Sequence, residues 1–165
     1  MTSSPLIAGL DVGTTNIKAL IADLDGTVLS IASVPTPTHY PEPGWAYYEP
    51  TEVWTSVCDV LLKATSFLKE SSRIVSIAVA SVGETAYPVD RDGQATHHGI
   101  AWFDTRAKTQ ADWLVENIGA ERIYKSCRMS IQPIYGLCKL LWMRDNKPYA
   151  LAKTTSWLNT ADFIA

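Results

Sequence analysis

Short apolar runs alternate with turn-forming residues in the first part of the chain. Leu6–Val12 is an apolar run of strand length that ends at Gly13, which predicts a buried strand. Two further β-like runs follow at Asn16–Asp23 and Thr27–Ser33, and the Leu24–Gly26 segment supplies the turn between them. We therefore expect a buried strand followed by two antiparallel neighbours.

A proline-rich stretch separates these strands from the first predicted helix. Pro35–Pro50 is predicted to be an ordered excursion or a loop, because proline cannot donate a hydrogen bond to a sheet. From Thr51 to Leu68 the apolar positions recur at three- and four-residue steps, which predicts an amphipathic helix. Pro50 suits the first turn of that helix.

The second half of the chain predicts a mixture of strands and helices. Ile74–Ala80 is an apolar, β-branched run after a helix, which favours a strand parallel to the first one. A second hairpin is predicted from Ala86 through the turn at Arg91–Gly93 to Trp102. Helical patterns and a final apolar segment follow at about Thr105–Ile118, Pro133–Asp145 and Trp157–Ala165. This order of elements indicates the α/β class, with an antiparallel meander joined to a parallel strand.

Composition and charge narrow the class of partner. The hydrophobic share of 47% and the charged share of 19% are typical of a soluble globular protein. The formal net charge is -3 and no basic run is present, which argues against a nucleic-acid partner. Neither a signal peptide nor a membrane span is apparent, and the sparse cysteines suit a reducing compartment. We therefore expect a cytoplasmic protein with no membrane partner.

The sharpest local feature is the turn after the first predicted strand, within Gly9–Lys18. Asp11 ends the strand, and Gly13 permits a tight turn. Thr14 and Thr15 then supply hydroxyls and main-chain amides, which can direct hydrogen-bond donors at a polyphosphate. The carboxylate is placed to hold Mg²⁺, usually through water. The alternative is an ordinary hairpin turn of the same composition.

Further motifs follow this turn in a consistent order. They are Pro43-Gly44-Trp45, Glu49-Pro50 with Trp54, the Ala101–Arg106 segment, and Pro133 with Lys139–Trp142. The turn and its hairpin resemble the first phosphate motif of the superfamily of actin, heat-shock-protein ATPases and sugar kinases. The later motifs are similar to those of FGGY carbohydrate kinases, and the resemblance runs from about Leu6 to Ala165.

The resemblance implies a fold, an activity and a set of site residues. The fold would be a ribonuclease H-like, actin-like ATPase fold with two lobes around a cleft, and the activity that of an ATP-dependent sugar or polyol kinase. The implied residues for ATP and Mg²⁺ are Asp11 for the metal, with Gly13, Thr14, Thr15, Asn16 and Lys18 for the phosphates. The implied sugar contacts are Glu84, Trp102, Asp104 and Arg106.

The resemblance also implies that residues 1–165 form an N-terminal lobe that is inactive alone. The family's general base is an Asp in a later segment, and the adenosine-binding lobe follows it, so both are expected beyond Ala165. Gly83 and Ile134 depart from the glycerol kinase pattern, since a substrate-contacting Tyr is usual at the second position. Glycerol is therefore disfavoured, xylulose is not specifically indicated, and the sugar is left undetermined.

Other interpretations stay open. A filament-forming or otherwise non-catalytic actin relative would share the phosphate turn, and a degenerate kinase would act as a sugar sensor. Asp104 and Arg106 either contact the sugar or pair with each other and cap the next helix. A homo-oligomer also remains open as the state of the chain.

Aromatic side chains outside these motifs have simpler expected roles. We expect Trp45 and Trp54 to pack rather than to face a sugar, because aromatic residues near a helix start usually do so. His97 and His98 fall in the predicted second hairpin and are expected to be solvated.

Overall fold

The computed structural model describes residues 4–69 and 73–165, so residues 1–3 of the polar N-terminal stretch lie outside the described part. The chain divides into two compact units. The first takes in the described residues of Met1–Pro37 and Pro50–Val82, together with Thr160–Ala165. The second comprises Thr38–Glu49 and Gly83–Asn159.

Strands and helices alternate along the described chain. The strands are β1 (Leu6–Val12), β2 (Asn16–Asp23), β3 (Val28–Pro35), β4 (Tyr47–Tyr48), β5 (Ile74–Ser81), β6 (Ala86–Val89), β7 (Gly99–Ile100) and β8 (Ser156–Asn159). The helices are α1 (Pro50–Thr65), α2 (Lys108–Ile118), α3 (Ala120–Cys127), α4 (Gly136–Asn146), α5 (Pro148–Lys153) and α6 (Thr160–Ile164). None of the helices in the described part is long and apolar enough to cross a membrane.

The first unit contains a four-stranded mixed sheet in the order β3-β2-β1-β5. The pairs β1–β2 and β2–β3 are antiparallel, and β5 runs parallel to β1. This confirms the predicted buried strand, its two antiparallel neighbours and the parallel addition. The third strand ends at Pro35 rather than Ser33, which the sheet tolerates because β3 is an edge strand.

Helix α1 packs against β2 and β3 on one face of this sheet. Its buried residues follow the helical repeat, and they are Pro50, Val53, Val57, Val60 and Ala64. The helix ends at Thr65, three residues before the end that the apolar pattern predicts. Trp54 was expected to pack, but it is 50% exposed because it lies one position off the buried stripe.

The opposite face of the sheet holds a cavity of about 440 Å³. Its lining is almost wholly apolar and includes Gly9, Leu20, Ile31 and Ala78, with Asp11 at one side. Within the described residues this face is therefore open, and Ile31 is 65% exposed.

The second unit joins two short antiparallel pairs to a helical core. β4 pairs with β7, and β6 pairs with β8. The core cluster lies between the end of β7 and helices α2 and α4, and its buried members are Ile100, Ala107, Ala111, Leu114, Cys138, Trp142 and Met143. This core positions the loops that carry the predicted sugar contacts.

The predicted second hairpin, from Ala86 to Trp102, is wrong in its return strand. A tight turn does follow β6, with Gly93 N donating to the carbonyl of Asp90 and a single bridge between Val89 and Ala95. The strand partner of β6 is nevertheless β8, about seventy residues later, and Gly99–Ile100 pairs with β4. A local pattern cannot identify a pairing partner so distant along the chain.

Helix boundaries and short elements account for the other differences. The pattern from Thr105 becomes a helix only at Lys108, because the preceding residues form a turn that the Asp104 carboxylate stabilises. The pattern from Pro133 becomes α4 only at Gly136. The helices α3, α5 and α6 and the strands β4 and β8 were not predicted, because elements of two to eight residues contain few repeats of a hydrophobic pattern. The strand β4 also corrects the predicted loop at Pro35–Pro50.

Candidate phosphate-binding and sugar-binding sites

The β1–β2 turn brings the predicted phosphate-binding residues onto one hairpin. Gly13 N donates to the carbonyl of Asn16 at 3.1 Å, which closes the turn around the two threonines. Thr36 fixes the turn from the next connection, donating from Oγ1 to the Gly13 carbonyl at 2.8 Å and from its N to the Thr15 carbonyl at 3.0 Å. The turn is therefore stabilised both by a hydrogen bond within the hairpin and by Thr36 in the segment after β3.

Gly13 is required by the space around it. A Cβ at this position would lie 2.9 Å from the main-chain oxygen of Asn16, closer than side chains tolerate, and 3.8 Å from both carboxylate oxygens of Asp11. The absent side chain thus leaves room in front of the Asp11 carboxylate. A small cradle of this kind, beside main-chain amides, suits a phosphate oxygen or a hydrated cation.

Asp11 and Lys18 face each other across this hairpin. They are register partners on β1 and β2, and both side chains are exposed. Within residues 4–69 and 73–165 neither takes part in an ion pair. The carboxylate and the ammonium therefore remain available to a ligand at the end of the strand.

Glu84 occupies an unusual backbone conformation at the start of the second unit. Its φ of 57° lies in the left-handed region, which costs a non-glycine residue about 1–2 kcal/mol. Its Oε2 accepts a hydrogen bond from Gly136 N, the first residue of α4, at 2.6 Å. Non-glycine residues held in this region often lie at functional sites, and the role of Glu84 at the sugar stays a prediction.

Trp102 projects from a four-residue turn. The carbonyl of Ala101 accepts the Asp104 N–H at 3.0 Å, so that Trp102 and Phe103 occupy the corner of the turn. The two rings meet edge to face with centroids 5.6 Å apart. The indole is 39% exposed, which leaves part of its face for an apolar ligand surface such as the face of a sugar.

Asp104 and Arg106 form a buried pair in the same turn. Asp104 Oδ1 accepts from Arg106 N and Nε, and Oδ2 accepts from Arg106 Nη2 at 2.8 Å and from Ala46 N. The guanidinium also lies 4.3 Å from the ring centroid of Trp45 and 5.0 Å from that of Trp142. The carboxylate oxygens are thus fully used within the protein. This is the mutual pairing that the sequence left open, and sugar contact by either residue stays a prediction.

His97 and His98 were expected to be solvated, but both are half-buried in an aromatic cluster. His98 stacks on Tyr47 with ring centroids 4.0 Å apart, and the ring of His97 lies tilted against it at 3.8 Å. Its Nε2 lies 3.4 Å from Arg106 Nη1. Burial, reinforced by His97 and Arg106, lowers the pKa of His98 to about 3, and burial also lowers the pKa of His97. The failed hairpin prediction caused this error, because β7 pairs with β4 and so brings the preceding His98 against Tyr47 instead of leaving it in a hairpin loop.

Lys139 belongs to a motif of the sequence, and its contacts become visible only in the structure. The side chain is 1% exposed on α4, and Nζ donates to the carbonyls of Glu84 and Ile100. Burial lowers the pKa of Lys139 to about 8, partly offset by the nearby charges of Glu84 and Asp104. The signal in the sequence was a lysine on the same helical face as Cys138 and Trp142.

The mixed sheet, with strand order β3-β2-β1-β5, and the helices around it are the arrangement that the sequence predicted for an actin-like fold. The sequence model of the N-terminal domain of the FGGY family of carbohydrate kinases matches residues 6–165. The chain therefore belongs to this family.

Curated relatives at 28–32% identity include several glycerol kinases. Glycerol kinase 2 of Streptomyces coelicolor is 29% identical over 147 residues, covering 88% of this chain and 29% of the relative. The glycerol kinase of Koribacter versatilis is 32% identical over 148 residues, covering 88% of this chain and 30% of the relative. The chain thus spans less than a third of the length of these relatives.

Solved structures of sugar kinases share the fold. The gluconate kinase from Lactobacillus acidophilus gives a TM-score of 0.89 at 24% identity, covering 98% of this chain and 32% of that one. The xylulose kinase from Rhodospirillum rubrum gives a TM-score of 0.87 at 24% identity, covering 96% of this chain and 33% of that one. The predicted actin-like fold class, with antiparallel and parallel strands in one sheet, is therefore confirmed.

Proposed function

We propose that the whole protein transfers the terminal phosphoryl group of ATP to a hydroxyl of a sugar or polyol. Residues 1–165 would serve as its N-terminal lobe and contribute the phosphate turn and part of the sugar site. The observation that carries this proposal is the β1–β2 turn, in which Gly13 leaves a cradle in front of the Asp11 carboxylate. Membership of the FGGY family supports the reaction class.

The same turn fits the Mg²⁺ that accompanies ATP. Asp11 is a single exposed carboxylate, and the described residues contain no group of three or more potential ligands that would hold a metal by themselves. Mg²⁺ usually keeps several waters and is held by one or two carboxylates and the substrate phosphates, so one carboxylate beside a phosphate turn is a suitable donor set. When bound, the ion would neutralise charge on the phosphates.

The chain's own residues would bind the phosphates of ATP and orient them for transfer. Thr14, Thr15 and the main-chain amides of the turn would hold the terminal phosphates, with Asn16 at its edge and Lys18 adding positive charge. Phosphoryl transfer needs mainly alignment and charge neutralisation, which these groups can supply. The proton of the acceptor hydroxyl would go to a carboxylate outside residues 1–165.

The sugar side of the reaction would use Glu84 and Trp102. A carboxylate accepts hydrogen bonds from hydroxyl groups, and an indole covers the apolar face of a sugar ring. The buried Asp104–Arg106 pair would act chiefly by fixing the turn that presents Trp102.

The acceptor is proposed to be larger than glycerol, despite the relatives that are named glycerol kinases. A Cβ on Gly83 would meet nothing within 4 Å, so the space beside Glu84 is open. Ile134 is a half-buried apolar residue in place of a Tyr hydroxyl. Both features favour a longer polyol, ketose or sugar acid.

The test is ADP release by the full-length protein against glycerol, xylulose, gluconate and related polyols, ketoses and sugar acids. Asp11→Asn is expected to abolish turnover while leaving sugar binding intact, and Asp25→Asn, in the exposed β2–β3 turn, is the matched control. Turnover that survives Asp11→Asn would contradict the assigned role. ATP binding without turnover on any sugar would favour a degenerate, sugar-sensing relative instead.

A further inference from the structure

Lys139 is a buried lysine that forms no ion pair within the described residues. Within residues 4–69 and 73–165 no carboxylate lies within ion-pair distance of its Nζ, which instead donates to the main-chain carbonyls of Glu84 and Ile100. Burying an ammonium is costly, and an apolar side chain of similar length would fill the same space more favourably. What the ammonium adds is its contact with these two carbonyls.

Glu84 is the residue that needs such a contact. A glutamate at φ 57° does not hold that conformation by its own preference, so its surroundings must stabilise it. Two donors do so, Lys139 Nζ at the carbonyl and Gly136 N at carboxylate Oε2. Both donors belong to α4, so one rigid helix holds the main chain and the side chain of Glu84 together.

This arrangement leaves half of the carboxylate for a ligand. In the described residues Oε1 of Glu84 accepts no hydrogen bond, and the residue as a whole is exposed. The position of Oε1 is set by the two contacts at the other atoms of the residue. A carboxylate oxygen fixed in this way is prepared to accept a hydrogen bond from a hydroxyl group without reordering.

We propose that Lys139 is a positioning residue that holds Glu84 in its left-handed conformation and thereby places Oε1 for a hydroxyl of the sugar substrate. The inference rests on the proposed function, because Glu84 is assigned there to the sugar. It extends that function by naming the residue, outside the sugar contacts themselves, on which sugar affinity depends.

The test is a double-mutant cycle in the full-length protein, with the sugar that gives turnover. Lys139→Met removes the ammonium at nearly constant volume, and Glu84→Gln weakens the acceptor. We expect Lys139→Met to raise the KM for the sugar by at least about tenfold while the KM for ATP changes by less than about twofold. In the Glu84→Gln background the same substitution should add less than about twofold, because its effect passes through Glu84. Lys153→Met, at an exposed lysine of α5, is the control and should change neither KM.

If Lys139→Met does not fold, a second pair of variants tests the step on which its role depends, namely that α4 places the Glu84 carboxylate for the sugar. Gly136→Pro removes the N–H that binds Oε2 and puts a ring carbon in its place, whereas Gly136→Ala keeps the N–H. Proline is well tolerated at the first position of a helix, and Tyr135 has the extended conformation (φ -72°, ψ 144°) that precedes proline. We expect Gly136→Pro to raise the sugar KM and Gly136→Ala to leave it unchanged, since its Cβ would make only ordinary contacts.

The outcomes separate the two proposals. If the unmodified protein phosphorylates no sugar, the proposed function fails and this role fails with it. If it is active but Lys139→Met has the sugar KM of the unmodified protein, or acts equally with and without Glu84→Gln, the positioning role alone is overturned. Where only the Gly136 pair can be measured, equal sugar KM values for the two variants overturn it.

Discussion

At the scale of single residues, the phosphate turn depends on the absence of a side chain at Gly13. Gly13→Ala would place a Cβ 2.9 Å from the Asn16 carbonyl, so the turn must open and the amides must move. In the full-length protein we expect the KM for ATP to rise by at least about tenfold, with sugar binding unchanged. The control is Gly9→Ala on the same hairpin, where the new contact is an ordinary 3.6 Å to Leu20. Equal KM values for ATP in the two variants would contradict this account.

The buried Asp104–Arg106 pair is a second property of individual residues. Asp104→Asn leaves the guanidinium buried without its counter-charge, and removing one partner of such a pair typically costs about 3–5 kcal/mol. We expect a clear fall in the melting temperature of the full-length protein. Glu121→Gln breaks the exposed pair with Lys125 and should have little effect, because water screens that interaction. A similar small effect from both variants would show that the buried pair is not required for stability.

At the scale of elements, the β4–β7 pair brings Tyr47 of β4 into a stack with His98, which directly precedes β7. His98 has a pKa lowered to about 3, whereas its pKa in the unfolded chain is about 6.5. The unfolded state therefore binds more protons between these values, and the stabilising contribution of neutral His98 is lost as the pH falls from about 6.5 towards 3. We expect His98→Gln to flatten the pH dependence of the melting temperature below pH 6.5. An unchanged slope would mean that His98 titrates normally in the folded protein.

The strands also show which parts of the fold could be predicted from the sequence. The bounds of β1 and β2 were predictable because each is an apolar run bounded by turn residues. Strand β5 was predictable because an apolar, β-branched run after a helix favours a parallel strand in the same sheet. The β6–β8 pair was missed because its strands lie about seventy residues apart, and only tertiary packing selects that partner. The roles of His98 and Lys139 were missed for the same reason, because His98 stacks on Tyr47 and Lys139 donates to the carbonyl of Glu84, and both partners are far away in the sequence. The turn between Asp11 and Lys18 was predictable because all of its residues lie in one hairpin and are close together in the sequence.

At the scale of the whole chain, the sheet face opposite α1 is open within residues 4–69 and 73–165, and the family comparison alone does not describe this property. The residues lining its cavity of about 440 Å³ are almost all apolar, and Ile31 is 65% exposed at its edge. An apolar concavity of this size is a binding site for small aromatic dyes. We therefore expect the 165-residue chain to enhance the fluorescence of anilinonaphthalene sulfonate in its folded state.

A charged side chain in the cavity should distinguish dye binding at this site from nonspecific dye binding elsewhere on the chain. Ile31→Glu puts a carboxylate among apolar atoms and should reduce the dye signal of the folded chain several-fold, because an anionic dye then meets both repulsion and lost apolar contact. Leu24→Glu makes the same change at a position that is 63% exposed in the β2–β3 turn, outside the cavity lining, and should leave the signal nearly unchanged. Far-ultraviolet circular dichroism of each variant checks that the fold persists. Equal signals from the two variants would mean that the dye binds elsewhere, and the sheet face would then not be the main apolar surface of the chain.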